Sequence, residues 1–183
     1  GDEAPAEPFS SDKPKHPKNP AIGTKKMVFS KELIMDQADA KLFKKDEEIT
    51  MMQWGNGIVR AIAAQEPLDQ ITIELNLKGD VRSTEKKVTW LSTQGTELVK
   101  AELWEFDYLI TKDKLEEEDD LEKFLNPKTA TMEEAWCDEG VRDLKKDDII
   151  QLERRGYYRV DAGVDEGEKK GTVILFAIPT GKE

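Results

Sequence analysis

Short strand-like runs, separated at close intervals by turn residues, constrain this chain more than any other feature. The clearest spans residues 71–78, where Ile71, Ile73, Leu75 and Leu77 alternate with polar residues and share one face of an extended segment. Residues 87–91, 98–103 and 172–178 are further strands by their β-branched and aromatic content. Gly55-Asn-Gly57 after Trp54, Lys78-Gly-Asp80, Gln94-Gly95 and Lys170-Gly171 read as turns. Many short strands with regular turns predict an all-β barrel or sandwich. Helical pattern is confined to residues 116–125, where Leu121, Phe124 and Leu125 share a face and Asn126-Pro127 stops the run. Thr131-Met-Glu-Glu134 imitates a capping box, but no sustained helical period follows Val141. No long internal sequence repeat is visible.

The composition of the 183 residues, 37% hydrophobic and 37% charged, favours small cores with wide solvated faces. No apolar run approaches the ~20 residues of a membrane-spanning helix. The start, GDEAPAEPFSSDKP, has neither a signal-peptide apolar region nor an Arg-rich transit pattern. A single cysteine, Cys137, excludes an internal disulfide and a cysteine metal cluster. These features predict a soluble, intracellular protein. Residues 1–13, rich in Pro, Ala, Ser and acids, read as a disordered or linker edge, and the proline-rich segment up to Pro20 as extended chain.

Catalytic chemistry is scarce. His16, the only histidine, lies among prolines and lysines with no nucleophile or metal ligand near it in sequence. Neither GxxxxGK[ST] nor GxGxxG occurs. The acidic run Glu116-Glu-Glu-Asp-Asp120 lacks the alternating spacing and turn glycine of a calcium loop, and reads as a solvated helix start.

Binding chemistry is concentrated in residues 148–161. Two short apolar strands flank Arg154-Arg155-Gly156, which predicts a β-hairpin with a basic turn. Gln151, Arg154, Arg155, Tyr157, Tyr158 and Arg159 crowd there, side chains suited to nucleobase edges and faces. Positions i and i+3 of a regular strand point to opposite faces, so Gln151 and Arg154 act together only if Arg154 lies at the turn. Further basic groups are Lys13 to Lys26 (with Lys25 and Lys26), Lys86-Lys87, and Arg142 through Lys145 and Lys146. The net charge of −11 opposes nucleic acid as a whole, yet a Debye length of about 8 Å lets a local patch act by itself.

Several collinear blocks carry a resemblance. They are His16-Pro-Lys-Asn-Pro20, Gly23, Val28-Phe-Ser30, Asp36-Gln-Ala-Asp39, Val88-Thr-Trp-Leu91, Phe106-Asp-Tyr-Leu-Ile110, Asp143-Leu-Lys-Lys146 and Gln151-Leu-Glu-Arg-Arg-Gly-Tyr-Tyr158. Together they resemble the anticodon-binding region of the class I glutamyl- and glutaminyl-tRNA synthetases, over roughly residues 13–182. Gln53-Trp-Gly-Asn56 and the ending Val173-Ile-Leu-Phe-Ala-Ile-Pro-Thr-Gly181 are similar to the glutamyl branch of eukaryotic and archaeal type. The resemblance implies an all-β fold of two six-stranded antiparallel β-barrels with exchanged N-terminal strands, one short helix near 116–125, and a mainly extended 129–137. The anticodon-binding region would be 14–183, its barrels covering approximately 20–110 and 111–183.

The resemblance also implies roles. Gln151 and Arg154 match a Gln-x-x-Arg pattern that contacts the central anticodon uridine, and Tyr157 or Tyr158 would stack on a base. Lys86 or Lys87 falls near family basic residues, while Arg155, Lys25, Lys26, Lys145 and Lys146 would hold phosphates. Glu105 and Tyr108 stand where bacterial glutaminyl relatives carry arginines, so the resemblance does not carry a flanking-base contact over to those positions. The His-Ile-Gly-His and Lys-Met-Ser-Lys-Ser catalytic signatures are missing, and Met27-Val-Phe-Ser-Lys31 lacks the order of the second. The expectation is therefore a cytoplasmic, cofactor-free C-terminal fragment, with ATP and Mg in a catalytic domain outside it. Its partner would be glutamate tRNA, with neither DNA nor membrane, and assembly with other synthetases would run through regions outside the chain. A glutaminyl counterpart and a protein-interaction barrel without RNA binding are the alternatives.

Overall fold

The computed structural model describes residues 3–16, 18–63 and 70–179. Pro17 of the proline-rich segment and Thr180-Gly181 of the expected ending lie outside them. The chain divides into two compact units, Gly1–Glu97 and Leu98–Glu183.

The first unit holds β1 (Phe9–Pro14), β2 (Thr24–Phe29), β3 (Leu33–Met35), α1 (Gln37–Ala40), β4 (Glu48–Met51), β5 (Gly55–Ile62), β6 (Ile71–Asn76), β7 (Lys87–Val88) and β8 (Trp90–Ser92). Its ladders are β1-β2, β3-β8 and the four-stranded β6-β5-β4-β7. The second unit holds β9 (Val99–Phe106), α2 (Leu121–Phe124), β10 (Ala130–Cys137), β11 (Ile149–Leu152), β12 (Gly156–Ala162) and β13 (Thr172–Ala177). These five strands form one sheet in the order β10-β9-β13-β12-β11. The fold is all-β, as the spacing of strands and turns predicts.

Four local expectations need correction. Residues 9–13 belong to β1, because Phe9 stacks on Phe29 with ring centroids 5.0 Å apart and strand pairing joins Phe9 to Phe29 and Pro14 to Thr24. The helix expected over 116–125 shrinks to α2. Asp119 accepts the Glu116 N–H at 2.7 Å and pairs with Lys112, which folds the acidic run as a turn, and Asp120 then caps α2 through the Glu122 N–H. The expected 87–91 strand is split into β7 and β8, since Lys87–Val88 pairs with β4 while Trp90–Ser92 pairs with β3. Gly55-Asn-Gly57 opens β5, and the turn is Met52-Gln53-Trp54, where Gln53 takes φ 61. Gly57 is required there because a Cβ would meet Ile73 Cγ2 at 2.5 Å.

The first core gathers Phe29, Phe43, Ile49, Met51, Val59, Val88 and Trp90, with Trp54 against it. Trp54 lies 4.8 Å from Trp90 and 5.2 Å from Phe29, centroid to centroid, and Trp90 Nε1 donates to the Met52 carbonyl at 3.0 Å. Such aromatic pairs add about 0.5–1.5 kcal/mol each beyond the area they bury. A polar knot sits beside them. Asn56, fully buried, accepts from Thr50 Oγ1 at 2.8 Å and donates to Glu48 Oε1 at 3.0 Å. Asn56→Ala should cost about 1–2 kcal/mol, at the lower end for orphaned buried groups. Thr50 keeps Thr84 and Glu48 keeps Asn76 as partners, which limits the loss. Urea unfolding of the variant, with an unchanged slope, measures it.

A structural repeat, invisible in the sequence, links the two units. In the first, Asp46 (φ 64) donates its N–H to Val59 at 2.7 Å, Val59 returns one to Glu47 at 2.9 Å, and the Glu47 carboxylate accepts the Lys44 N–H at 3.1 Å. In the second, Asp147 (φ 73), Val160, Asp148 and Lys145 make the same bonds at 2.8, 2.9 and 2.9 Å. Each motif leads into a hairpin with a three-residue turn, Met51 facing Gly55 in one and Leu152 facing Gly156 in the other. Both second strands carry a bulge, at Val59/Ala61 and at Val160/Ala162. Only Lys-Lys-Asp-acid and a few later positions match in residue type, too little for a sequence signal.

Candidate nucleic-acid interface

The second hairpin supplies the geometry that the basic-aromatic cluster requires. Strands β11 and β12 pair Ile149 with Arg159, Ile150 with Tyr158, Gln151 with Tyr157 and Leu152 with Gly156. Glu153, Arg154 and Arg155 form the turn, closed by the Arg155 N–H on the Leu152 carbonyl at 3.0 Å. Arg154 sits at its middle with φ 66, out of the pleat, as the spacing from Gln151 demands. Gly156, two residues on, has φ 111, which glycine takes without strain.

Alternation sorts the side chains onto two faces. Ile150, Leu152, Tyr158 and Val160 turn inward to the second core, with Val99, Leu103, Val173 and Leu175. Gln151, Tyr157 and Arg159 occupy the other face, Gln151 exposed and directly opposite Tyr157, which is 51% exposed. Tyr158 is 9% exposed, and burial pushes its phenol up, opposed by the nearby Arg155 guanidinium. Of the two tyrosines, only Tyr157 presents a ring to solvent. The pattern Tyr158-x-Val160-x-Ala162 carries this in the sequence, as one more strand with an apolar face.

The solvent face continues across the sheet through residues that sequence reasoning overlooked. The register places Met132, Trp104, Phe176, Arg159 and Ile149 side by side on neighbouring strands. The Phe106 ring stacks near Trp104 and meets Phe176 edge-on at 4.9 Å, while the Arg159 guanidinium lies 5.7 Å over Phe176. Arg159 also bridges to Asp147 at 2.6 Å. Below this row Glu102, 6% exposed, is held under the usual carboxylate range by hydrogen bonds from Lys169 and from Trp104 Nε1 at 3.1 Å. On the core side, burial pushes the Cys137 thiol up to about 11, so it stays protonated and serves as packing.

The other expected contacts divide between the two units. Lys145 and Lys146 are exposed on the loop before β11, in the same unit as the hairpin. Their backbone N–H groups are fixed by Asp148 at 2.9 Å and Glu166 at 3.2 Å. Lys25 and Lys26 lie on β2 of the first unit, opposite Lys13 and Asp12. Lys86 pairs with Glu47, and Lys87 Nζ donates to the Thr84 carbonyl, so both ammonium groups bind within the first unit. Arg155 forms a two-pronged pair with Glu133 of β10, at 2.9 and 3.0 Å. Among the described residues there is no group of three or more His, Cys, Asp or Glu placed to hold a metal. No described helix is long and apolar enough to cross a membrane.

Residues 2–79 and 87–161 each match the anticodon-binding domain of the class I tRNA synthetases for E and Q. The chain belongs to this family. The hairpin and its turn fall inside the second match. Among its relatives are a probable cytoplasmic glutamate–tRNA ligase of Schizosaccharomyces pombe, 47% identical over 97% of this chain and 24% of that protein, and the cytoplasmic glutamate–tRNA ligase of Saccharomyces cerevisiae, 44% identical over 100% and 25%. The bifunctional glutamate/proline–tRNA ligase of Mus musculus is 32% identical over 91% of this chain and 12% of its own length. This anticodon-binding chain thus spans about a quarter of the length of the first two relatives.

Proposed function

We propose that this chain is the anticodon-binding domain of a cytoplasmic glutamate–tRNA ligase, and that the second hairpin reads the central anticodon uridine. One observation carries the reading: Gln151 and Tyr157 face each other on the solvent side of the hairpin whose apex is Arg154. The amide offers a donor and an acceptor, the guanidinium a fork of donors, and the ring a stacking surface, the three functions that hold an unstacked base. Lys145 and Lys146 supply phosphate contacts beside it. Lys86 and Lys87 instead hold the first unit together. ATP-dependent ligation of glutamate belongs to other parts of a longer protein.

Titration with glutamate tRNA, and with the same tRNA carrying cytidine at the central anticodon position, tests this at fixed salt. The substitution should weaken binding by about 1–3 kcal/mol, the usual loss for one base-edge contact. Equal binding of the two RNAs sinks the reading. Glutamine tRNA, which shares the central uridine, separates the glutamyl from the glutaminyl assignment through the third anticodon base.

A further inference from the structure

Resting on that reading, we infer that Arg155 is a clasp and Glu133 a positioning residue: their pair sets the turn that aims Arg154 at the base. Both Nη atoms of Arg155 donate to both carboxylate oxygens of Glu133, at 2.9 and 3.0 Å. A fork-to-fork pair fixes orientation as well as distance. Glu133 lies on β10, one edge of the five-stranded sheet, and Arg155 in the turn that joins β12 to β11, the other edge. The pair therefore ties the hairpin tip to the far edge of its own sheet. Glu133 stands opposite the core residue Leu103, and both charges act on the buried Tyr158 phenol, so the clasp closes over the end of the core.

The duplicated hairpin gives independent support. In the first unit the third turn position is Trp54, locked between Phe29 and Trp90. Its counterpart is Arg155, one step before the glycine that opens the next strand in each hairpin. One unit anchors the turn with an aromatic side chain and the other with an ion pair. The anchor matters because the middle residue, Gln53 or Arg154, holds a left-handed conformation (φ 61 and 66) that persists only where the surroundings impose it. A guanidinium engaged in this way holds the turn rather than a phosphate.

The test measures the affinity ratio between glutamate tRNA with central uridine and with central cytidine, together with the salt dependence. Glu133→Gln and Arg155→Gln should each lower the ratio about three- to fivefold, the scale of one partly exposed ion pair. The double exchange Glu133→Arg with Arg155→Glu should restore it, and exchange of the backbone amide at position 155 should rise in the single variants and recover in the double. Arg155→Gln should leave the salt slope unchanged. A slope reduced by about 0.7 would make Arg155 a phosphate contact and overturn the clasp. Arg154→Ala separates the two claims. If it abolishes the ratio while Glu133→Gln leaves it intact, the clasp fails and the base-reading role stands. If Arg154→Ala leaves the ratio unchanged, the reading and the clasp fall together.

Discussion

Trp90→Ala is expected to destabilise the first unit by about 3–5 kcal/mol, the range for deleting a large buried aromatic side chain. Trp90 is 6% exposed and touches the Phe29 and Trp54 rings, 5.4 and 4.8 Å away. Alanine leaves a cavity between them and strips the Met52 carbonyl of its Nε1 donor, so transfer, cavity and hydrogen-bond losses add. Urea unfolding followed at the amides of Ile49 and Val59, two fully buried members of the same core, measures the change. Trp90→Phe keeps most of the ring contact and loses the donor, and should cost only about 1–2 kcal/mol. If the two variants are equally stable, the stacking of these aromatics is not what holds the unit.

Arg154→Ala is expected to lower the affinity for glutamate tRNA by about 1–3 kcal/mol, roughly 5- to 150-fold, and to erase discrimination at the central anticodon base. Arg154→Gly gives a cleaner form of the same experiment. Glycine accepts the φ of 66 without a Cβ penalty, so the turn survives while the side chain is lost. Both variants should therefore fail to discriminate although folded stability changes by no more than about 1 kcal/mol. Lys145→Ala provides the contrast: affinity for every tRNA should fall together, and the salt slope should drop by about 0.7. Preserved discrimination in Arg154→Gly would remove the residue from base reading.

The net charge of −11 does not weigh against these expectations. Much of the acid near the hairpin is already engaged with base. Asp147 faces Arg159, Glu133 faces Arg155, and Glu102 faces Lys169. Neutralised pairs of this sort contribute little field at a distance, and screening shortens what remains to about 8 Å. The clasp also sharpens which arginine should read RNA. Arg154 and Arg155 are indistinguishable as neighbours in a basic turn, yet one takes the left-handed apex position and the other pairs with both carboxylate oxygens of Glu133.

The sequence by itself determined the all-β class, the hairpin at residues 149–162, the place of Arg154 at its turn, and membership of the anticodon-binding family. Each depends on local information: a period of two, a turn glycine, the parity of neighbouring positions, or blocks in fixed order. Parity also held the answer for Tyr157 against Tyr158, since Val160 and Ala162 mark the inward face. Only the tertiary structure decided which partners Lys86, Lys87 and Arg155 meet within the chain, because an ammonium or guanidinium takes whichever carboxylate or carbonyl the fold brings to it. Glu47 reaches Lys86 from 39 residues away, and Glu133 reaches Arg155 from 22. The duplicated hairpin was hidden for a related reason. Backbone hydrogen bonds and left-handed turn residues define it, and many side chains satisfy the same backbone geometry, as Trp54 and Arg155 do at one equivalent position.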